Sequence, residues 1–250
     1  GGAFGARLMP VLVNAGYGWR AALAWLAVPV ALALAAAWTI LADVRSSKPD
    51  GTLTRQLLRR PRTWALMMAF GLVNAGYSSM IAWLAPYYQA QGWSSADSSG
   101  LVAVMAAGQA MAALGLPFLA RGNVDRRRWL WLTILFQAVG FFGLASLPGL
   151  APAFWVGLCG AGLGGSFALA IVTALDHLPR PEQAGALAAL MQGGGFLIAA
   201  IGPYATALLH DWTGGFAAGW MLHFACVLAT ALIYLRFDPR TYPDAMPSFG

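Results

Sequence analysis

Seven apolar runs recur along the chain: Ala21–Ala42, Trp64–Tyr88, Gly100–Ala120, Trp129–Leu147, Ala153–Leu175, Ala184–Leu209 and Phe216–Leu235. None contains Asp, Glu, Lys or Arg. Each reaches the roughly 20 mostly apolar residues that a helix needs to cross a bilayer. The pattern predicts an all-α, polytopic membrane protein. Gly1–Val13 is apolar apart from Arg7 and too short to cross alone, so it reads as the end of an earlier helix, truncated at its N-terminus. Connections are short except for residues 43–63, whose Ser, Lys, Pro, Asp and Gly predict a linker between two bundles. Trp and Tyr recur near the run ends (Trp64, Tyr87, Tyr88, Trp93, Trp129, Trp131, Trp155, Trp212), as an interfacial belt requires.

The basic residues sharpen this picture. Arg45, Lys48, Arg55, Arg59, Arg60 and Arg62 lie in the linker, and Arg121, Arg126, Arg127 and Arg128 follow the third run. Arg180 follows the fifth run, and Arg236 and Arg240 follow the last. Thirteen of the 15 Lys and Arg residues thus fall in every second connection, while 91–99, 146–152 and 210–215 hold none. Charge that alternates in this way is the positive-inside rule acting on an up-and-down bundle, which places the linker and C-terminus in the cytoplasm. The net charge of +6 therefore reports topology and not nucleic acid. With 59% hydrophobic and 10% charged residues in 250, a water-soluble domain is excluded on composition, since such domains carry about 25% charged residues. Cys159 and Cys226 stand alone in apolar runs and form no metal-like spacing, and no cofactor is expected.

Several segments are more specific. Ala69-Phe-Gly-Leu-Val-Asn-Ala-Gly-Tyr77 continues to Ile81-Ala-Trp-Leu-Ala-Pro-Tyr-Tyr88, and the loop Asp125-Arg-Arg-Arg128 and Ala174-Leu-Asp-His177 follow. Ala184-Gly-Ala-Leu-Ala-Ala-Leu-Met-Gln-Gly-Gly-Gly-Phe196, Trp220-Met-Leu-His-Phe-Ala-Cys226 and Leu235-Arg-Phe-Asp-Pro239 complete the set. The chain resembles the cyanate permease branch of the major facilitator superfamily, which also includes nitroimidazole-type transporters. The resemblance implies twelve helices in two six-helix bundles around a substrate cavity. On it, residues 1–42 are the remnant of the N-terminal bundle (the end of helix 5, and helix 6) and 43–63 the cytoplasmic linker. Residues 64–236 are the C-terminal bundle of helices 7–12, and 237–250 a cytoplasmic tail. The implied activity is secondary transport of cyanate or a similar small anion across a bacterial inner membrane, with efflux of small drugs as the alternative and a proton as a candidate coupling ion.

The residues carry their own reading. A polar side chain inside a span either bonds within the bundle or lines a wet cavity. Asn74, Tyr77 and Ser78 fall on one helix face at steps of three and four, with Trp83, Tyr87 and Tyr88 above. Such a stripe either holds a small polar solute or anion, or glues helices together; Ser79 reads as glue. Gln109 and Gln192 are single amides in apolar runs, and Gln192 precedes Gly193-Gly-Gly195, which leaves space or permits close contact. Gln137 sits on the helix equivalent to the superfamily's ninth, which supports the bundle from outside, so structure is expected there. Arg7, about 10 Å deep if its helix ends near Asn14, is an anion-site candidate by its cost in the membrane. His223 reads as a packing residue over a proton relay.

Gly160, Gly162 and Gly165 satisfy GxGxxG formally, but mid-run in apolar sequence the spacing points to helix packing and not to a nucleotide. Gly215 and Gly219 repeat the four-residue step. Asp125, Arg126 and Arg128 are expected to form charge pairs that bias one access state, or to serve topology alone. No Ser-His-Asp, HExxH or phosphate-loop pattern occurs, and the runs lack clustered His, Asp, Glu or Cys. A transporter is therefore expected in place of a membrane enzyme.

Overall fold

The computed structural model describes Leu8 and residues 11–13, 15–25, 27–40 and 51–247. Arg7 and residues 41–50 of the linker lie outside these. The described residues form helices α1 (Trp19–Trp25), α2 (Ala27–Ile40), α3 (Gly51–Leu58), α4 (Pro61–Gln89), α5 (Ser95–Ala120), α6 (Arg127–Ser146) and α7 (Pro152–Asp176). α8 (Pro181–Ala199), α9 (Ile201–Thr213), α10 (Ala217–Tyr234), a 3-10 turn at Pro239–Thr241 and α11 (Tyr242–Ala245) follow. Among the described residues there is no strand, and seven helical segments are long and apolar enough to cross a membrane. The first of these, Trp19–Thr39, has none of its most apolar window buried.

Local signals set the helix ends. Pro61, Pro152 and Pro181 open α4, α7 and α8, where a missing amide proton costs nothing. Ser94 caps α5 by accepting from the Asp97 amide at 3.1 Å. Run 184–209 divides at Ala200 because Pro203 cannot donate to the Ala199 carbonyl, so α8 and α9 meet there. Gly214 ends α9 in the left-handed conformation at φ 73°.

α4 and α7 are the centre of the bundle. α5 packs on α7 and α4, α8 packs on α4 and α7, and α6 and α10 lie against each other on the outer side. The glycines of α7 serve two seams at once. A Cβ on Gly160 or Gly164 would overlap the Met105 or Gln109 carbonyl of α5, and one on Gly162 would meet the Gln137 Cγ of α6 at 2.6 Å. The nucleotide-like spacing is thus a two-sided packing surface. Gly219 meets Thr206 Cγ2 at 2.6 Å, whereas Gly215 precedes α10 and meets no described atom within 4 Å, so the second four-residue step makes no backbone seam.

The described residues of the linker and tail segments pack on the bundle. Within the 43–63 segment, α3 docks through Leu57, which is fully buried, and its Leu57 carbonyl accepts from Thr63 Oγ1 at 2.7 Å. In the 237–250 segment, Phe237, Tyr242 and Met246 are buried. Tyr87 and Tyr88 are buried as well and do not join an interfacial belt. Their hydroxyls donate to the Leu144 carbonyl at 2.6 Å and the Pro148 carbonyl at 3.2 Å, tying α4 to the far end of α6.

Candidate functional site

Where intramembrane polar groups send their hydrogen bonds sorts them into two sets. On the outer seam, Gln137 Nε2 donates to Ser166 Oγ at 2.8 Å and to the Gly162 carbonyl at 3.3 Å, and Thr133 Oγ1 lies 2.6 Å from Ser166 Oγ. Thr206 Oγ1 donates to Ser79 Oγ at 3.3 Å and sits 3.0 Å from His223 Nε2, joining α4, α9 and α10. These groups are buried. They hold helices together, and His223 does so beneath the rings of Phe141 and Trp220.

The other set keeps its bonds local. Asn74 Nδ2 donates to the Phe70 carbonyl of its own helix at 2.8 Å, and Gln192 Nε2 only grazes the Ala188 carbonyl at 3.4 Å. Tyr77, Ser78, Gln109 and Gln192 are partly exposed, while Asn74 is 5% exposed. Trp83 is committed elsewhere: its Nε1 donates to the Pro203 carbonyl of α9 at 2.9 Å, and its ring tilts on Phe216. The structure places Phe70, Asn74 and Tyr77 on the α4 face where α7 and α8 converge, because Phe70 meets Phe167 of α7 and Phe196 of α8. Gln192 lies one turn before Phe196 on α8. Gln109 stands apart on α5, where its backbone abuts Gly164.

The glycine triplet divides between the two readings. A Cβ on Gly193 meets no described atom within 4 Å, whereas Gly194 admits Met67 and Gly195 admits Phe70 at 2.5 Å. Space and close contact thus sit side by side.

The loop after α5 is bonded differently from the expected pairing. Asp125 is held by Arg127, through Nε at 2.9 Å and Nη2 at 2.7 Å, and not by Arg126 or Arg128. Arg127 hydrogen bonding holds the Asp125 carboxyl below the usual carboxylate range. Arg126 instead reaches Asp176 at the end of α7, at 3.0 Å, and Arg128 donates to Asn123 Oδ1 at 2.6 Å. Arg127 also meets Asp238 at 3.2 Å. Arg62 donates to Thr241 Oγ1 at 3.0 Å and to the Arg236 carbonyl. His177 stacks on Tyr242 with centroids 3.7 Å apart, and burial pushes its imidazole down to about 4. A cleft of about 710 Å³ runs between Arg126, Asp176, His177 and Tyr242. Partners such as Asp176 and Asp238 are far apart in sequence from the arginines, so no local pattern marks this cluster.

The Major Facilitator Superfamily profile covers residues 1–189. The chain belongs to the major facilitator superfamily. It is 42% identical over 245 residues to the cyanate transport protein CynX of Escherichia coli K12, covering 98% of this chain and 64% of that protein. It is 28% identical over 219 residues to the 2-nitroimidazole transporter of the same organism, covering 86% of this chain and 55% of that protein. The chain thus spans about three-fifths of the length of these curated relatives. The inward-facing, unoccupied crystal structure of a bacterial homologue of the human lysosomal transporter Spinster shares its fold, with TM-score 0.61 at 16% identity over 98% of this chain and 67% of that one. The superfamily chain is therefore a multi-pass, all-α membrane protein, and its α4–α10 make one six-helix bundle, with α8 and α9 sharing one span.

Proposed function

We propose that the protein is a secondary transporter that moves cyanate or a similar small anion across a bacterial inner membrane by alternating access. The observation that carries this reading is the 42% identity over 98% of the chain to a protein named for cyanate transport. The geometry supports it through a face of uncharged amides and hydroxyls within the spans. Asn74, Tyr77, Ser78 and Gln192 lie where α4, α7 and α8 converge, with bonding capacity not spent on other helices. Gln109, partly exposed on α5, is a separate candidate contact. Uncharged donors hold a weakly hydrated anion without trapping it. The Asp125–Arg127 and Arg126–Asp176 pairs lie at the ends of spans, where breaking them shifts the balance between access states. The linker and C-terminus are assigned to the cytoplasm on the arginine distribution. None of the seven apolar runs carries Asp or Glu, and the carboxylates of the spans lie near their ends, at Asp97, Asp176, Glu182 and Asp211, so a coupling proton binds elsewhere than a mid-span carboxylate of this chain. The 28% identity to a 2-nitroimidazole transporter supports efflux of small drugs as a second reading.

Uptake of labelled cyanate into cells or vesicles carrying the protein tests the reading. Accumulation above empty membranes supports it, and none, with the protein shown to be inserted, contradicts it.

A further inference from the structure

The glycine triplet of α8 has a second consequence. Gly194 and Gly195 let α8 approach α4 until a Cβ at either position would strike Met67 or Phe70, and Gly71 of α4 reciprocates against Ile198. That approach brings Phe196 to Phe70 edge to face, with centroids 5.3 Å apart and rings at 84°. Phe167 of α7 reaches the same Phe70 at 5.5 Å. Three aromatic rings from α4, α7 and α8 therefore meet at one level, and Asn74 and Gln192 each stand one turn away from a ring of the group. Phe70 is buried, but Phe196 is 49% exposed beside the bare surface at Gly193. A half-exposed ring fixed by its neighbours, next to unspent amides, is a ready contact for a flat ligand.

We propose that Phe196 is a specificity-determining residue of this face, selecting small conjugated solutes whose π-system contacts its ring. The inference rests on the transport reading and adds the chemistry of selection. A planar heteroaromatic solute stacks on the ring face, while an anion such as cyanate meets its electropositive C–H edge and takes a hydrogen bond from Gln192. A saturated solute of equal size gains neither. The ring is pre-positioned by glycine-mediated packing, so binding costs little reorganisation.

Equilibrium binding of 2-nitroimidazole to the purified protein in detergent provides the test, apart from any transport. Phe196→Leu, which keeps most of the volume, is expected to weaken binding about three- to tenfold, the range of one aromatic contact. Phe196→Tyr is expected to stay within about twofold of the original. Phe142, equally exposed at 48% on the outer side against Phe224 of α10, supplies the control, and Phe142→Leu is expected to leave binding unchanged. Thermal unfolding of each variant confirms that it is folded. Absence of binding by the unsubstituted protein, an unchanged affinity in Phe196→Leu, or an equal loss in Phe142→Leu overturns the proposal. Binding that behaves as expected, without cyanate uptake, overturns only the transport reading.

Discussion

The outer seam and the inner face of the bundle contain the same kinds of side chain put to opposite ends. Gln137 and Gln192 are both lone amides in apolar helices. Gln137 is fully buried and spends its donors across helices, on Ser166 and the Gly162 carbonyl, in a slot that exists because Gly162 has no side chain. Gln192 is partly exposed, reaches only its own helix at 3.4 Å, and lies beside a glycine with open space before it. In a bilayer an unsatisfied polar group is costly, so a side chain with an interhelical partner is structural. On the proposed transport reading, one with spare capacity is available to a solute. The difference lies in the partner, not in the residue type.

The contrast can be broken most forcefully at the glycines. Gly164→Leu is expected to abolish the folded bundle, because even a Cβ there overlaps the Gln109 carbonyl. Size-exclusion profiles and yield in detergent would show it, and a normally folded variant would refute the α5–α7 packing. Gln137→Leu comes next. It removes the cross-helix bonds to Ser166 and the Gly162 carbonyl while leaving the Thr133–Ser166 contact, with an expected loss of about 1–2 kcal/mol in unfolding measurements. Asn74→Ala and Gln192→Ala should leave stability within about 0.5 kcal/mol, since only intrahelical bonds go. They should instead raise the KM for cyanate about tenfold, read from uptake rates, if each supplies a hydrogen bond to the solute. A stability loss as large as that of Gln137→Leu would erase the distinction.

The smallest effect concerns the cluster around His177 and Tyr242. The buried, Tyr242-stacked His177 has its folded pKa lowered to about 4, against an ordinary value near 6.5. The sign follows from linkage: docking of the Pro239–Ala245 segment is undiminished above about pH 6.5 and weakens as pH falls towards about 4, where the imidazolium must form. Proteolysis of the C-terminal segment between pH 7.5 and 5 measures this. His177→Phe, which stacks without titrating, should remove the acid sensitivity. An unchanged pH profile in that variant would contradict the role given to His177.

Much of the architecture was legible because a bilayer leaves few options. Runs of apolar residues without charge must be helices, and arginines must stay on one side. Each of the six runs from Trp64 onward corresponds to a span, with ends displaced by three to five residues at Pro61, Ser95, Pro181 and Thr213 and by at most two elsewhere. The GxGxxG spacing was legible as packing. What escaped was partner choice. Nothing in Asp125-Arg-Arg-Arg128 states that Asp125 takes Arg127 while Arg126 takes Asp176, fifty residues on. The tail hid its docking in the same way, since Tyr242 stacks on His177 just after α7 and Thr241 accepts from Arg62 of α4. Phe196 went unremarked because a phenylalanine in an apolar run is ordinary by composition. Its exposure and its edge-on contact with Phe70 appear only in three dimensions. Trp83, taken with the stripe of α4, proved bonded to Pro203 for the same reason.

Single cysteines in a background lacking Cys159 and Cys226 offer the most direct test, labelled in intact membranes with a water-soluble thiol reagent. Cysteines at Tyr77, Ser78 and Gln192 are expected to react, and those at Ser79, Gln137 and Thr206 to remain protected. Equal protection of both sets, or preferential labelling of the outer seam, would contradict the division of this bundle into a solute-facing surface and a structural one.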